Sequence, residues 1–224
     1  MFASDRIFLE ACVELAAQGQ MTCAPNPPVG CIIWRDGKVL GRGFHQRAGA
    51  GHAEVNALRS VEGGACNATV FVSLEPCSFV GRTPACARTL IDAGVARVVV
   101  AAVDPNPKVA GSGIRLLREA GIAVDVLELD SAKEQIQGFT QRITRQRPWV
   151  RIKTATSLDG SVALANGKSQ WVTGSAARAD VQYWRARSDA IVTGVGSVIA
   201  DDPLLTVRDP AFAHALAPLR VVLD

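Results

Sequence analysis

The sequence predicts an α/β layer fold, and three observations carry that reading. Short apolar runs rich in Val, such as "ATVFVSLEP" (68–76) and "VARVVVAAVDPNP" (95–107), have the length of strands. Between and after them, "TPACARTLIDAG" and "SGIRLLREAG" place apolar residues at helical spacing. Strands that alternate with helices in this way form a sheet covered by helices. The composition, 48% hydrophobic and 20% charged, is that of an ordinary globular protein.

The elements follow in order. Residues 5–18 place Ile7, Phe8, Cys12, Leu15 and Ala16 on one helical face, and Gly19 can end that helix. "APNPPVG" (24–30) is a rigid, Pro-rich loop. In "CIIWRDGKVLGRG" the "RDGK" between two apolar runs is a hairpin turn. "GHAEVNALRSV" opens a helix at or near His52. The run 68–76 is a strand. "TPACARTLIDAG" has Thr83 as a candidate cap, Pro84 at the first helical position and Gly94 at the end. The strand of 95–107 stops at Pro105. "SGIRLLREAG" is a helix, "IAVDVLEL" a strand and "SAKEQIQGFTQRITRQ" one further helix.

Arg145 to Pro148 is a polar link, which divides the chain into domains 1–146 and 147–224. The second starts with an expected strand, "WVRIKTATSLDG". It continues through a helix near 175–187 and a strand "DAIVTGVGSV", and closes on the strand "LRVVLD". It resembles the front part of a larger α/β domain, and little or no complete chemistry is expected from it alone.

A net charge of +3 and a pI near 8.6 are too weakly basic to argue for nucleic acid. No apolar run approaches the roughly 18 residues of a membrane span. Asp5, Glu10 and Glu14 interrupt the N-terminal apolar pattern, unlike a secretory signal, so a cytoplasmic protein is expected. All six cysteines lie at or before Cys86. In a cytoplasmic chain they suggest metal binding or burial rather than disulfides.

The chemistry-bearing residues are few. His52 and Glu54 form H-A-E at the mouth of a helix. Cys77 ends a strand in "SLEPCSFVGRTPAC", and Cys86 falls in the first turn of the next helix. One His and two Cys make an open zinc site, since a structural zinc is normally closed by four protein ligands. A helix N-terminus favours thiolate, which is expected to help Cys86 bind metal. Zinc so held generates a nucleophile from water near pH 7, and Glu54 stands within reach to carry protons. His/Cys/Cys zinc with a non-ligand Glu is the arrangement of zinc deaminases that act on bases, whose signature is H-x-E…P-C-x-x-C. Here eight residues separate the cysteines in place of two. Cys12, Cys23, Cys31 and Cys66 lack partners at useful spacing and are read as buried or incidental.

With "PNPPVGCII", "HAEVNAL", "LEPCSFVGRTPAC" and "DPNPKVAGSG" in view, the chain resembles the bifunctional riboflavin-biosynthesis deaminase–reductases over essentially its whole length. The resemblance implies a three-layer α/β/α cytidine-deaminase-like domain followed by part of a dihydrofolate-reductase-like α/β domain. It puts the zinc ligands on His52, Cys77 and Cys86 and the proton shuttle on Glu54. It implies hydrolytic deamination of a diaminopyrimidinone carrying a ribosylamino 5-phosphate. Asn26, Arg82, Asp104 and Asn106 match positions near that substrate, although Asp104 and Asn106 also suit a turn. The family usually reads S-H-H-G-R-T-P-P-C where this chain reads S-F-V-G-R-T-P-A-C, so Phe79 and Val80 replace two histidines.

"KTATSLDGSVA", "SQWVTG" and "RARSDAIVTGVGSVIADDPLLTVR" resemble the reductase half, which uses NADPH to reduce the ribose to a ribityl chain. By that resemblance Ala155, Trp171, Ser197 and Asp201 contact NADPH, and Ser169, Arg185, Leu205 and Arg208 contact substrate. Two guanidinium forks suit a phosphate; Trp171 equally suits a core and Ser169 a cap. A homo-oligomer is compatible with the fold. The competing readings are a tRNA base deaminase with the same zinc site, and a zinc-binding remnant without catalysis.

Overall fold

A computed structural model describes residues 3–79 and 85–224. The chain divides into two compact units, Met1–Trp149 and Val150–Asp224.

In the first unit, helix α1 (Ala3–Ala17) precedes a hairpin of β1 (Gly30–Arg35) and β2 (Lys38–Phe44). Asp36 and Gly37 turn it with φ of 50° and 81°, a two-residue turn whose twist matches that of the strands. Then follow α2 (Ala53–Arg59), β3 (Thr69–Val72), α3 (Cys86–Asp92), β4 (Arg97–Val100), α4 (Ser112–Glu119) and β5 (Ala123–Val126). The strand order is β2-β1-β3-β4-β5. β1 runs antiparallel to β2 and β3, whereas β3, β4 and β5 are parallel.

The period of two along the central strands sorts side chains onto the two sheet faces. Ile33, Val70, Val72, Val98 and Val100 pack with Ala53 and Ala57 of α2, Ala87 and Leu90 of α3 and Leu117 of α4. The alternate residues Ile32, Phe71 and Val99 pack with Leu9 and Cys12 of α1 and with Leu129, Ala132 and Ile136. The result is three layers, helix on sheet on helix. Arg97 ties α1 to the sheet: it donates to both carboxylate oxygens of the buried Asp5, at 3.1 and 2.9 Å, and to Asp125 at 2.8 Å.

Several boundaries in this unit differ from expectation: β3 and β4 are shorter than the strands expected over 68–76 and from 95 to Pro105. "IAVDVLEL" is a strand only to Val126: Leu127 still donates to Val100, and Glu128 then turns left-handed at φ 54°. The single helix expected over 131–146 is two, α5 (Asp130–Gln135) and α6 (Gln137–Arg145). Ile136 leaves helical geometry as it enters the core, and Gly138, a poor helix former, stands at the restart.

In the second unit, α7 (Ser175–Ala186), β6 (Ala190–Gly194), α8 (Val195–Asp201) and β7 (Leu219–Leu223) make a parallel two-stranded βαβ arrangement. "DAIVTGVGSV" is thus a strand that turns into a helix at Gly194. The strand expected in "WVRIKTATSLDG" is not formed: among the described residues, 150–156 pair with no ladder, and Ser157–Ser161 close a turn instead. A strand pattern becomes a strand only where a neighbour accepts its hydrogen bonds. Among the described residues no helix is long and apolar enough to cross a membrane.

Candidate metal centre

Three elements deliver three ligand atoms to one point. His52 is the residue before α2, with extended backbone (φ −70°, ψ 169°). Helix α2 lies hard against β2 because Gly43 has no side chain: a Cβ there would stand 2.3 Å from the amide nitrogen of Ala57. Cys77 follows the end of β3, and Cys86 is the first residue of α3. His52 Nδ1 lies 3.2 Å from Cys86 Sγ and 3.7 Å from Cys77 Sγ, and all three ligand atoms fall within 4.8 Å of one another. Two soft thiolates and an imidazole suit zinc by ligand type, and they supply three of the four ligands that zinc usually takes.

The start of α3 acts on Cys77 rather than on Cys86 as expected. Cys86 N–H donates to Cys77 Sγ at 3.3 Å, and Ala87 N–H donates to the Cys77 carbonyl at 3.0 Å. The first unpaired amides of the helix are thereby satisfied. Hydrogen bonding from Cys86 and His52 holds the Cys77 thiol well below the ordinary range, against the opposing effect of burial. Cys86 is displaced upward by its contact with Cys77 and by burial. The His52 imidazole is raised, chiefly by Cys77.

Glu54 lies in the first turn of α2 and is 3% exposed. Burial, assisted by the neighbouring Cys77, pushes its carboxyl up to about 7. A carboxyl in that range can take up and release a proton at neutral pH.

Around this set sit residues of the sequence reading and two that it missed. Asn26 Nδ2 lies 3.0 Å from His45 Nε2. His45 Nδ1 lies 3.1 Å from the Gly51 carbonyl, which can only accept, so Nδ1 donates and Nε2 accepts from Asn26. His45 therefore fixes the Asn26 amide, and its ring meets that of His52 edge-on at 5.2 Å. Burial lowers the His45 imidazole. Asp104 and Asn106 shape one loop: Asn106 N–H donates to Asp104 Oδ1 at 2.8 Å, and Lys108 N–H to Asn106 Oδ1 at 3.1 Å. The turn chemistry foreseen for them is present. Burial raises the Asp104 carboxyl to about 6. Glu75, the second missed residue, accepts backbone N–H groups from this loop. An acid at the buried end of an apolar strand was the available signal for it. Phe79 is exposed; Val80, Arg82, Thr83 and Pro84 lie outside the described residues.

In the second unit the structure brings Arg185 and the 205–208 stretch together. Arg185 of α7 donates to the Thr206 carbonyl at 3.0 Å, and Arg208 N–H to Gln182 Oε1 at 2.7 Å. Burial and the nearby Arg208 lower the Arg185 guanidinium. Leu205 has φ 51°. Ser197 and Asp201 lie one turn apart on α8, both exposed. Trp171 is 69% exposed, with the Arg178 guanidinium 4.7 Å from its ring centre. Ala155 and Ser169 make no hydrogen bond to these groups among the described residues.

Residues 3–102 match the family described as the cytidine and deoxycytidylate deaminase zinc-binding region, and residues 148–224 match the RibD C-terminal domain. The riboflavin biosynthesis protein RibD of Haemophilus influenzae is 46% identical over 99% of this chain and 63% of its own length. That of Escherichia coli is 50% identical over 91% of this chain and 56% of its own. The chain thus spans less than two thirds of these relatives. Among solved structures, Acinetobacter baumannii RibD superimposes with a TM-score of 0.91 at 48% identity, covering 98% of this chain and 63% of that one. A diaminohydroxyphosphoribosylaminopyrimidine deaminase/5-amino-6-(5-phosphoribosylamino)uracil reductase from Thermotoga maritima gives 0.92 at 36% identity, with the same coverage.

Proposed function

This chain belongs to the RibD family of riboflavin biosynthesis proteins, and from that premise we propose that its first unit is a zinc-dependent aminohydrolase. Its substrate is 2,5-diamino-6-(5-phosphoribosylamino)pyrimidin-4-one, which loses one exocyclic amine as ammonia. The observation that carries this reading is the convergence of His52 Nδ1, Cys77 Sγ and Cys86 Sγ beside the buried Glu54. These three residues hold the metal. Zinc bound there supplies Lewis acidity and a nucleophile derived from water at neutral pH.

The remaining work belongs to the protein's own groups. Glu54 would take one proton on the attacking side and pass it to the ring, then take a second and pass it to the departing amine, a task that its raised carboxyl suits. Asn26, with its amide oriented by His45, together with Asp104 and Asn106, recognises the pyrimidine and its ribose, and Arg82 takes the phosphate end. Asn26 Nδ2 is engaged by His45, so Oδ1 is the atom it offers to a donor of the ring.

The same premise assigns 1–146 to the deaminase and 147–224 to part of an NADPH-dependent reductase. There Ala155, Trp171, Ser197 and Asp201 face the cofactor, and Ser169, Arg185, Leu205 and Arg208 face the sugar phosphate. The closeness of Arg185 to the 205–208 stretch supports that pairing, since Arg208 adds positive charge near Arg185 that an anion would offset. A cytoplasmic homo-oligomer without a nucleic-acid partner completes the reading.

The test is ammonia release from the diamino substrate by the zinc-loaded chain. Glu54→Gln should retain zinc and lose turnover; retained turnover would remove Glu54 from its role. Filter binding of tRNA, with deamination of tRNA and none of the pyrimidine, would replace the substrate assignment.

A further inference from the structure

Glu75 is a buried carboxylate to which the chemistry above gives no task. After β3 the chain continues beside β4: Ala101 N–H donates to Val72 O and Glu75 N–H to Ala102 O, each at 2.9 Å. This places the Glu75 side chain under the loop that runs from Asp104 into α4. Four backbone N–H groups converge on it. Oε2 accepts from Asp104 at 3.2 Å and from Gly111 at 2.8 Å. Oε1 accepts from Gly113 at 2.9 Å and Ile114 at 3.2 Å. The residue is 4% exposed and joins no ion pair among the described residues. A buried charge without such partners would be costly. Here loop amides and the first turn of α4 take the place of water and of a counter-ion.

The contact is close as well as polar. A Cβ on Gly113 would stand 1.8 Å from the Pro76 carbonyl oxygen and 3.3 Å from Glu75 Oε1. Two residues after Pro76, Ser78 Oγ lies 2.6 Å from the Oγ of Ser112, the residue before Gly113. Glu75 stands two residues before Cys77, so one carboxylate grips both ends of the loop 104–111 and fastens them to the segment that carries a metal ligand.

We propose that Glu75 is a positioning residue: its carboxylate sets the placement of the Asp104–Asn106 loop relative to Cys77, and thereby how tightly substrate is held. The proposal rests on the deaminase reading, in which that loop meets substrate. It predicts a defect in substrate binding with the metal retained.

The test uses the zinc-loaded full chain carrying Glu75→Gln. An amide nitrogen would face two N–H donors, so at least two of the four hydrogen bonds are lost whichever way the amide turns. Hydrogen exchange across 104–114, read by mass spectrometry without substrate, should quicken by at least about ten-fold. KM for the diamino substrate should rise at least about ten-fold, with kcat within about three-fold and zinc still one per chain. Gly113→Ala reaches the same contact from the opposite side and should give the same KM-against-kcat split; it carries the test where Glu75→Gln does not fold. Unchanged exchange, or an unchanged KM in a folded and zinc-replete variant, overturns the proposal. Loss of zinc with loss of kcat also overturns it, because Glu75 would then act on Cys77. A wild-type chain that releases no ammonia removes the deaminase reading and the positioning role with it, and leaves the exchange result standing as a fact about the loop.

Discussion

Two parallel strand pairs in this chain, β3–β4 and β6–β7, have similar ladders and opposite surroundings. In the first, Val70, Phe71 and Val72 face Val98, Val99 and Val100, all buried, with helices on both sides. In the second, Ile191, Val192 and Thr193 face Arg220, Val221 and Val222, and among the described residues both strands are half-buried at most. The local sequences are about equally strand-like. The difference lies in the layers, and it teaches that a parallel pair gains its stability from what covers it. It also shows how the candidate ligands are held still: His52, Cys77 and Cys86 stand on or beside elements packed against the first unit's sheet.

The sharpest break in this comparison is chemical. Glu54→Gln should lower ammonia release by about a thousand-fold or more, measured with zinc content in the same sample. Chelation of zinc should bring the wild type to the same floor.

A paired truncation reads the packing directly. Leu90→Ala removes a fully buried side chain and should cost about 3 kcal/mol in denaturant unfolding. Leu219→Ala, at a position 67% exposed, should change stability by no more than about 0.5 kcal/mol. Equal costs would collapse the contrast between the sheets.

Gly43→Ala probes the seat of the candidate ligand His52. Its Cβ would press on Ala57 N and Ala53 O, at 2.3 and 2.5 Å, and force α2 away from β2. A loss of about 2 kcal/mol is expected. Weaker zinc affinity should accompany it, because His52 precedes that helix.

A further effect is one of pH. Burial holds the Asp104 carboxyl at about 6, above its ordinary 3.8, so the folded state binds this proton more tightly than the unfolded chain does. The stability so contributed is fully present below about pH 4 and is lost as pH rises toward 6. Asp104→Asn should flatten that part of the stability–pH curve, followed by urea midpoints across the range. An unaltered slope would mean that Asp104 is solvated in the native protein.

Much of this was legible in the residues themselves. H-A-E at a helix mouth, E-P-C after an apolar run and a Cys opening the next helix pointed to the three candidate ligands that the fold brings together, because metal chemistry restricts both residue type and its place on an element. Strand and helix periods foretold the first unit's sheet and its helices. Residues 150–156 carry a similar apolar pattern and form no strand, since a pattern cannot show whether a neighbour is there to pair with. The break at Ile136 was hidden for a related reason: the core, not helical propensity, decides where that side chain goes.

Sequence alone determined the residue types of the candidate metal site, the alternation of layers and the family to which the chain is akin. Those are properties of side-chain chemistry and spacing. Only the tertiary structure decided that the start of α3 serves Cys77 rather than Cys86, that His45 orients Asn26, and that Glu75 grips a loop some thirty residues away. Each depends on backbone groups brought together by the sheet, and a backbone N–H leaves no mark in the sequence.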